Sequence, residues 1–172
     1  MILGKVYAPF NKGGIYRKWY GNREYVLNYA NDGMELKNFK DDRGKLKSRP
    51  QNLEYNFRNS ISWGLITTND FSVRYYDTNF TFNVAGIGCF INDDEKLKYV
   101  LALSNCKIFN LMSKMINPTL NSNVGDIEKI PIIYENHKSN KIKILAEENI
   151  LFSKKDWDLD ETSWDFEKNP LI

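Results

Sequence analysis

The chain has 172 residues, 42% of them hydrophobic, with 24 Lys and Arg against 22 Asp and Glu and a formal net charge of +2. That length and apolar content allow one domain with a real core and exclude the low-hydrophobicity, high-charge class of disordered proteins. The small net charge does not by itself imply a polyanionic partner, but the charges are segregated: residues 12–58 hold eleven Lys or Arg against six Asp or Glu, and residues 147–172 hold three against eight.

Strands are predicted first, over residues 2–8, 15–20, 24–29, 63–67, 71–76 and 80–84, each rich in aromatic or β-branched side chains and bounded by Asn, Asp or Gly. Their close spacing favours antiparallel pairing. The second lies within KGGIYRKWYGN, residues 12–22, where two glycines are followed by Arg17, Lys18, Trp19 and Tyr20, a mixture of charge and flat apolar surface that suits nucleic acid or a half-buried strand. In 71–76 the alternation sets Phe71, Val73 and Tyr75 on one face and Ser72, Arg74 and Tyr76 on the other, so Arg74 is expected to face solvent or a ligand.

From Asp32 to Arg58 the strand periodicity disappears, and a polar run carries Asp41, Asp42, Arg43, Gly44, Lys45, Lys47, Arg49 and Pro50. It reads as a solvated loop or as a mobile basic loop that orders on phosphate. Helices follow. Asn92 and Glu95 have capping-box spacing ahead of Leu97, Val100 and Leu101. Ile108, Leu111, Met112 and Met115 then repeat an apolar stripe, its Met residues read as core, until Asn117 and Pro118 stop the helix. Ile130, Pro131 and Ile132 read as an extended return, residues 136–140 as a polar linker and 141–152 as a last helix before an acidic, Trp-bearing tail.

Two cysteines, Cys89 and Cys106, no apolar leader and no run near the ~18 apolar residues of a membrane span lead to an expected soluble, cytoplasmic protein with no membrane contact. His137 has no second His and no Cys pair beside it, so no zinc site and no Ser-His-Asp or Cys-His arrangement can be assembled. Gly86-Ile-Gly88 lacks the third glycine and the later acid of a dinucleotide site. Asp156, Asp158, Asp160 and Glu167 fit positions 1, 3, 5 and 12 of a calcium loop, but Glu161 occupies the glycine position. No metal or catalytic residue is expected in this chain.

Several words in one order carry a resemblance: KGGIYRKWYGN; Asn31-Asp32-Gly33 with Glu35; Ser62-Trp63; Phe71-Ser72-Val73-Arg74; Ala85-Gly86; Leu103-Ser104-Asn105-Cys106-Lys107; Asn117-Pro118-Thr119; Val124-Gly125-Asp126-Ile127 with Ile130-Pro131-Ile132; Asp156-Trp157-Asp158; and Ser163-Trp164-Asp165-Phe166. Together they resemble the C-terminal half of the adenine-specific DNA methyltransferases of BREX phage-defence systems (PglX) and related restriction-methylation fusion enzymes. Cys106 departs from the serine expected in its word.

The resemblance implies an α+β fold, a mostly antiparallel twisted sheet with two or three helices like the target recognition domains of type I restriction specificity subunits. It implies a DNA-reading region over residues 1–135 and, over 136–172, a linker, helix and acidic tail that would dock on the absent remainder. Partners implied are double-stranded DNA and a catalytic methyltransferase domain or other defence-system subunits. S-adenosylmethionine and the Asn-Pro-Pro-aromatic motif would belong to the catalytic half, so this chain would not be an enzyme alone. Expected DNA contacts are Lys12, Arg17, Lys18, Arg23, Arg43, Lys45, Lys47 and Arg49 on phosphate, with Arg58 and Arg74 reaching base edges, since arginine can bind guanine with two hydrogen bonds. The alternatives are a protein-interaction module relying on Trp157 and Trp164, an RNA binder, or a non-functional remnant of a split gene.

Overall fold

Two three-stranded sheets carry the first half of the chain, in a computed structural model that describes residues 6–67 and 70–169. In the first, β1 (Tyr7–Asn11) lies between β2 (Tyr25–Asn28), antiparallel, and β5 (Thr81–Phe82), parallel. In the second, β3 (Ser60–Gly64) lies between β4 (Arg74–Tyr76) and β6 (Gly86–Cys89), both antiparallel. Helices α2 (Asp94–Ser104), α3 (Lys107–Ile116), the single turn α4 (Val124–Ile127) and α5 (Asn136–Trp157) follow, and a short α1 (Ala30–Asn38) precedes β3. This is the α+β class expected, with its antiparallel pairing divided between two sheets.

The core sits between the second sheet and α2 and α3. Ile61 and Trp63 from β3, Phe71 and Val73 from the approach to β4, Leu97 and Leu101 from α2, Phe109 from α3 and Ile130 form one buried cluster. Leu97 and Leu101 are one helical turn apart, so both reach it, each worth roughly 2 kcal/mol on burial. The Trp63 indole satisfies its N–H at 2.9 Å on the Ser122 carbonyl. Asp93 caps α2, its Oδ1 accepting from Glu95 and Lys96 N–H at 3.0 and 3.1 Å. The expected cap, Asn92, instead accepts from Arg58.

Several expected elements differ. The strand expected at 15–20 does not form, because Gly13, Gly14, Trp19 and Gly21 all take positive φ and fold the segment into a loop. The strand expected at 71–76 joins the ladder only from Arg74; before it, side-chain amides replace strand partners, Asn110 Oδ1 accepting from Phe71 N–H and Asn105 Oδ1 from Val73 N–H, both at 3.0 Å. Strand β6, which holds Gly86 and Gly88, pairs along β3 from Ile61 to Gly64. The first residues of the strand expected at 2–8 lie outside the described residues.

Residues 136–140 are the first turn of α5 and not a linker. Ser139 is buried there, its hydroxyl shared between Glu95 and the Asn136 carbonyl, so a polar contact replaces the apolar signal that sequence periodicity requires. Lys98 of α2 ties the helices together, donating at 2.7 Å to both Asp94 and Glu147. On α3, Met112 packs on the core, but Ile108, Leu111 and Met115 are exposed, Met115 at 76%, so they form an outward stripe and not core. Among the described residues, no helix is long and apolar enough to cross a membrane.

Candidate nucleic-acid interface

The KGGIYRKWYGN segment is a structural joint. Trp19 lies alongside the free edge of β4, its N–H donating to the Val73 carbonyl and its carbonyl accepting from Tyr75 N–H, both at 2.9 Å. Asn105, at the end of α2, clamps the same point: its amide donates to the Val73 carbonyl at 2.9 Å, and its own carbonyl accepts from Lys18 Nζ at 2.7 Å. From α5, Ser153 donates to the Lys18 and Tyr20 carbonyls at 3.0 and 3.1 Å. Words far apart in sequence therefore meet at one place.

Arg17 and Arg23 are consumed by the same joint. Arg17 pairs with Asp156, donates through Nε to the Tyr20 carbonyl at 3.1 Å, and lies 5.0 Å from the Trp157 ring. Arg23 is buried among the rings of Tyr20, Tyr76 and Phe80, donating to Asp77 at 3.1 Å and to the Tyr75 carbonyl at 3.0 Å. A guanidinium stacked on aromatic faces and closed by a carboxylate has little left for a phosphate.

Arg74 corrects the expectation of a wet strand face. It is 1% exposed, because the KGGIYRKWYGN loop covers the face that alternation assigned to solvent. One nitrogen donates to the Arg17 carbonyl at 3.2 Å, while Nε and Nη2 have no hydrogen-bond partner. At 1% exposure Arg74 presents almost no surface to solvent, in contrast to the open face that strand alternation assigned to it.

The acidic tail folds onto this chain. Trp157 is buried against Gly21, Trp164 stacks on Phe80 at 6.4 Å, and Lys154 joins Asp158 and Asp165. Burial opposes the charge on Lys154, but hydrogen bonds to Asp158 and Asp165 outweigh it and hold the ammonium well above the usual lysine range. Three of the four carboxylates of the calcium-loop template, Asp156, Asp158 and Asp160, are thus turned to Arg17, Lys154 and the Thr162 N–H respectively.

At Asp77, burial pushes the carboxyl up, but Arg23 and the Asn79 N–H outweigh it and hold the group below 3.8. Such a group contributes stability that is present above pH 3.8 and lost as pH falls through its lower folded value. Asp77→Asn is therefore expected to flatten the acid limb of a Tm-against-pH curve below about pH 4. An unchanged acid limb would show that the Arg23 pair contributes nothing.

What remains free is a second basic set. Arg43, Lys45, Lys47 and Arg49 are exposed, and among the described residues their side chains make no ion pair or hydrogen bond. Lys12 is exposed and rests 4.7 Å from the Tyr25 ring. Arg58 is half-buried, over the Tyr55 ring at 5.1 Å and bonded to Asn92. Within the loop expected there, residues 39–47 make a turn closed by one isolated β-bridge, Lys40 to Leu46, and Lys47 N–H donates to the Phe39 carbonyl at 2.8 Å. The signal was present in sequence, since Asp41-Asp42-Arg43-Gly44 is turn chemistry between two apolar residues, Phe39 and Leu46.

No protein-family model matches the chain. It is 40% identical over 166 residues to "Adenine-specific methyltransferase BrxX" of Escherichia coli O9:H4 (strain HS), and 34% identical over 169 residues to "Adenine-specific methyltransferase PglX" of Lacticaseibacillus casei (strain Zhang). These matches cover 95% and 98% of this chain but only 13% and 14% of those proteins. The resemblance carried by the sequence words is borne out along nearly the whole chain, as similarity to one small segment of much longer methyltransferases.

Proposed function

We propose that this chain, similar along its length to one segment of adenine-specific methyltransferases of the BREX type, is the part that recognises the DNA target. It binds double-stranded DNA, while methyl transfer and the S-adenosylmethionine that supplies the methyl group belong to other parts of the longer enzyme. The observation that carries this reading is the division among the candidate cations. Arg17, Lys18, Arg23 and Arg74 are spent inside the fold, whereas Arg43, Lys45, Lys47 and Arg49 stand exposed without carboxylate partners among the described residues, on and beside the turn that the Lys40–Leu46 bridge closes. Exposed cations unpaired at that density favour a phosphate backbone, with Lys12 and Arg58 as further contacts.

The exposed apolar stripes support a second surface on the same chain. Ile108, Leu111 and Met115 face outward from α3, and Ile144, Leu145, Leu151 and Phe152 from α5. We assign these faces to contact with the catalytic part, in place of Trp157, which the chain buries in its own packing, while Trp164 stacks on Phe80 and stays half-exposed.

Duplex retention as a function of salt tests the electrostatic reading. The chain is expected to bind duplex DNA at ~50 mM salt and to lose affinity with a log–log slope of about −0.9 per phosphate neutralised. Absence of binding at that salt, or a flat dependence, overturns it. Competition by double-stranded RNA at equal strength would move the reading from DNA to RNA.

A further inference from the structure

Resting on that DNA-reading role, we infer that the hairpin centred on Gly44 is the element that enters a groove of the duplex, with Arg43 reading a guanine edge and Lys45 and Lys47 holding flanking phosphates. The hairpin is built locally. Asp41 N–H donates to the Lys45 carbonyl and Gly44 N–H to the Asp41 carbonyl, both at 2.9 Å. The Asp41 carboxylate accepts from Arg43 N–H at 3.0 Å and Lys45 N–H at 2.9 Å, so it fixes the tip.

The tip stands clear of the rest of the molecule. A Cβ added to Gly44, whose φ is +76°, would meet nothing within 4 Å, and Phe39, Lys40 and every residue from Asp42 to Lys47 are exposed. A turn closed by a single bridge, Lys40 to Leu46, with no buried face gains little stability from its own pairing. Nothing in the core therefore calls for this projection, or for the exposure of Phe39 and Leu46 on it. A partner does.

Shape and charge select that partner. A narrow projecting turn is slim enough for the B-DNA major groove, about 12 Å wide, where guanine presents O6 and N7 to an arginine fork. Alternation sets Lys45 and Lys47 on one face, spaced to follow a backbone, and leaves Arg43 at the turn with no partner of its own among the described residues. Because the turn is already formed, ordering it on DNA costs less than ordering a loop.

Selection from duplexes of randomised sequence, using the whole 172-residue chain at ~50 mM salt, tests this assignment. The wild type is expected to enrich a motif containing a guanine, for which R43A loses preference by about ten- to a hundredfold. R43K, which keeps the charge but not the fork, should lose the same preference with most of the affinity retained. K47A should bind every duplex more weakly while keeping the motif. An identical motif from R43A and wild type, or a wild type that retains duplexes without enriching any motif, overturns the hairpin assignment and leaves general DNA binding standing. A wild type that retains no duplex overturns the DNA-reading role itself. Unchanged Tm in R43A and R43K separates these effects from unfolding.

Discussion

Replacing Arg43, Lys45, Lys47 and Arg49 together by alanine is expected to weaken duplex binding on the order of a thousandfold at ~100 mM salt and to leave the fold intact. Each phosphate contact contributes about 0.9 to the log–log salt slope, so removing four should make the slope shallower by about 3.6. All four side chains are exposed and none is held by another group among the described residues, so the cost to stability should stay within about 0.5 kcal/mol. A filter-binding titration across salt, beside a thermal melt, checks both halves. Full-strength binding by the quadruple variant would remove this surface from the interface and leave Lys12 and Arg58 as the contacts. The contrast with Arg23 is sharp: its loss should lower Tm, because it is packed among three aromatic rings and closed by Asp77.

Trp157→Ala carries the second large effect, and it acts on the fold. Trp157 is 8% exposed and packs on Gly21 and beneath the Arg17 guanidinium, so truncating it opens a cavity where α5 meets the KGGIYRKWYGN loop. Loss of a buried Trp side chain costs roughly 3–5 kcal/mol, on the order of 10 °C in Tm for a chain of this size. Gly21→Ala attacks the same contact from the other side. Gly21 has φ +124°, and its added methyl would stand 2.4 Å from Arg17 Cδ and 3.0 Å from the Trp157 ring. If both variants melt with the wild type, α5 and the tail are not anchored through this joint.

The joint also changes what the sequence words mean. Lys18-Trp19, Val73-Arg74, Asn105 and Asp156-Trp157 lie in four separate words, and the structure brings them together around the edge of β4. Their residue types follow from that geometry: a side-chain amide that can both donate and accept beside a strand edge, and a cation matched to a tail carboxylate. The words that mark the resemblance are therefore mainly structural. The hairpin, which carries the proposed reading contacts, lies outside them.

By itself the sequence determined the class of each long element and its apolar face. Leu97, Val100 and Leu101 at helical spacing, and aromatic and β-branched runs between Asn and Gly, specify local geometry through backbone sterics and side-chain period, which act over a few residues. It also determined the likeness to adenine-specific methyltransferases. Tertiary structure alone decided which cations remain free. Arg17 meets Asp156 across 139 residues, Arg23 meets Asp77 across 54, and Arg74 meets the Arg17 carbonyl across 57. Strand alternation placed Arg74 on an open face because a period of two records only which side of the sheet a residue faces, not whether another segment covers that side. The same limit hid the outward face of α3, since the apolar spacing of Ile108, Leu111 and Met115 defines a stripe whether it meets this chain's core or another surface.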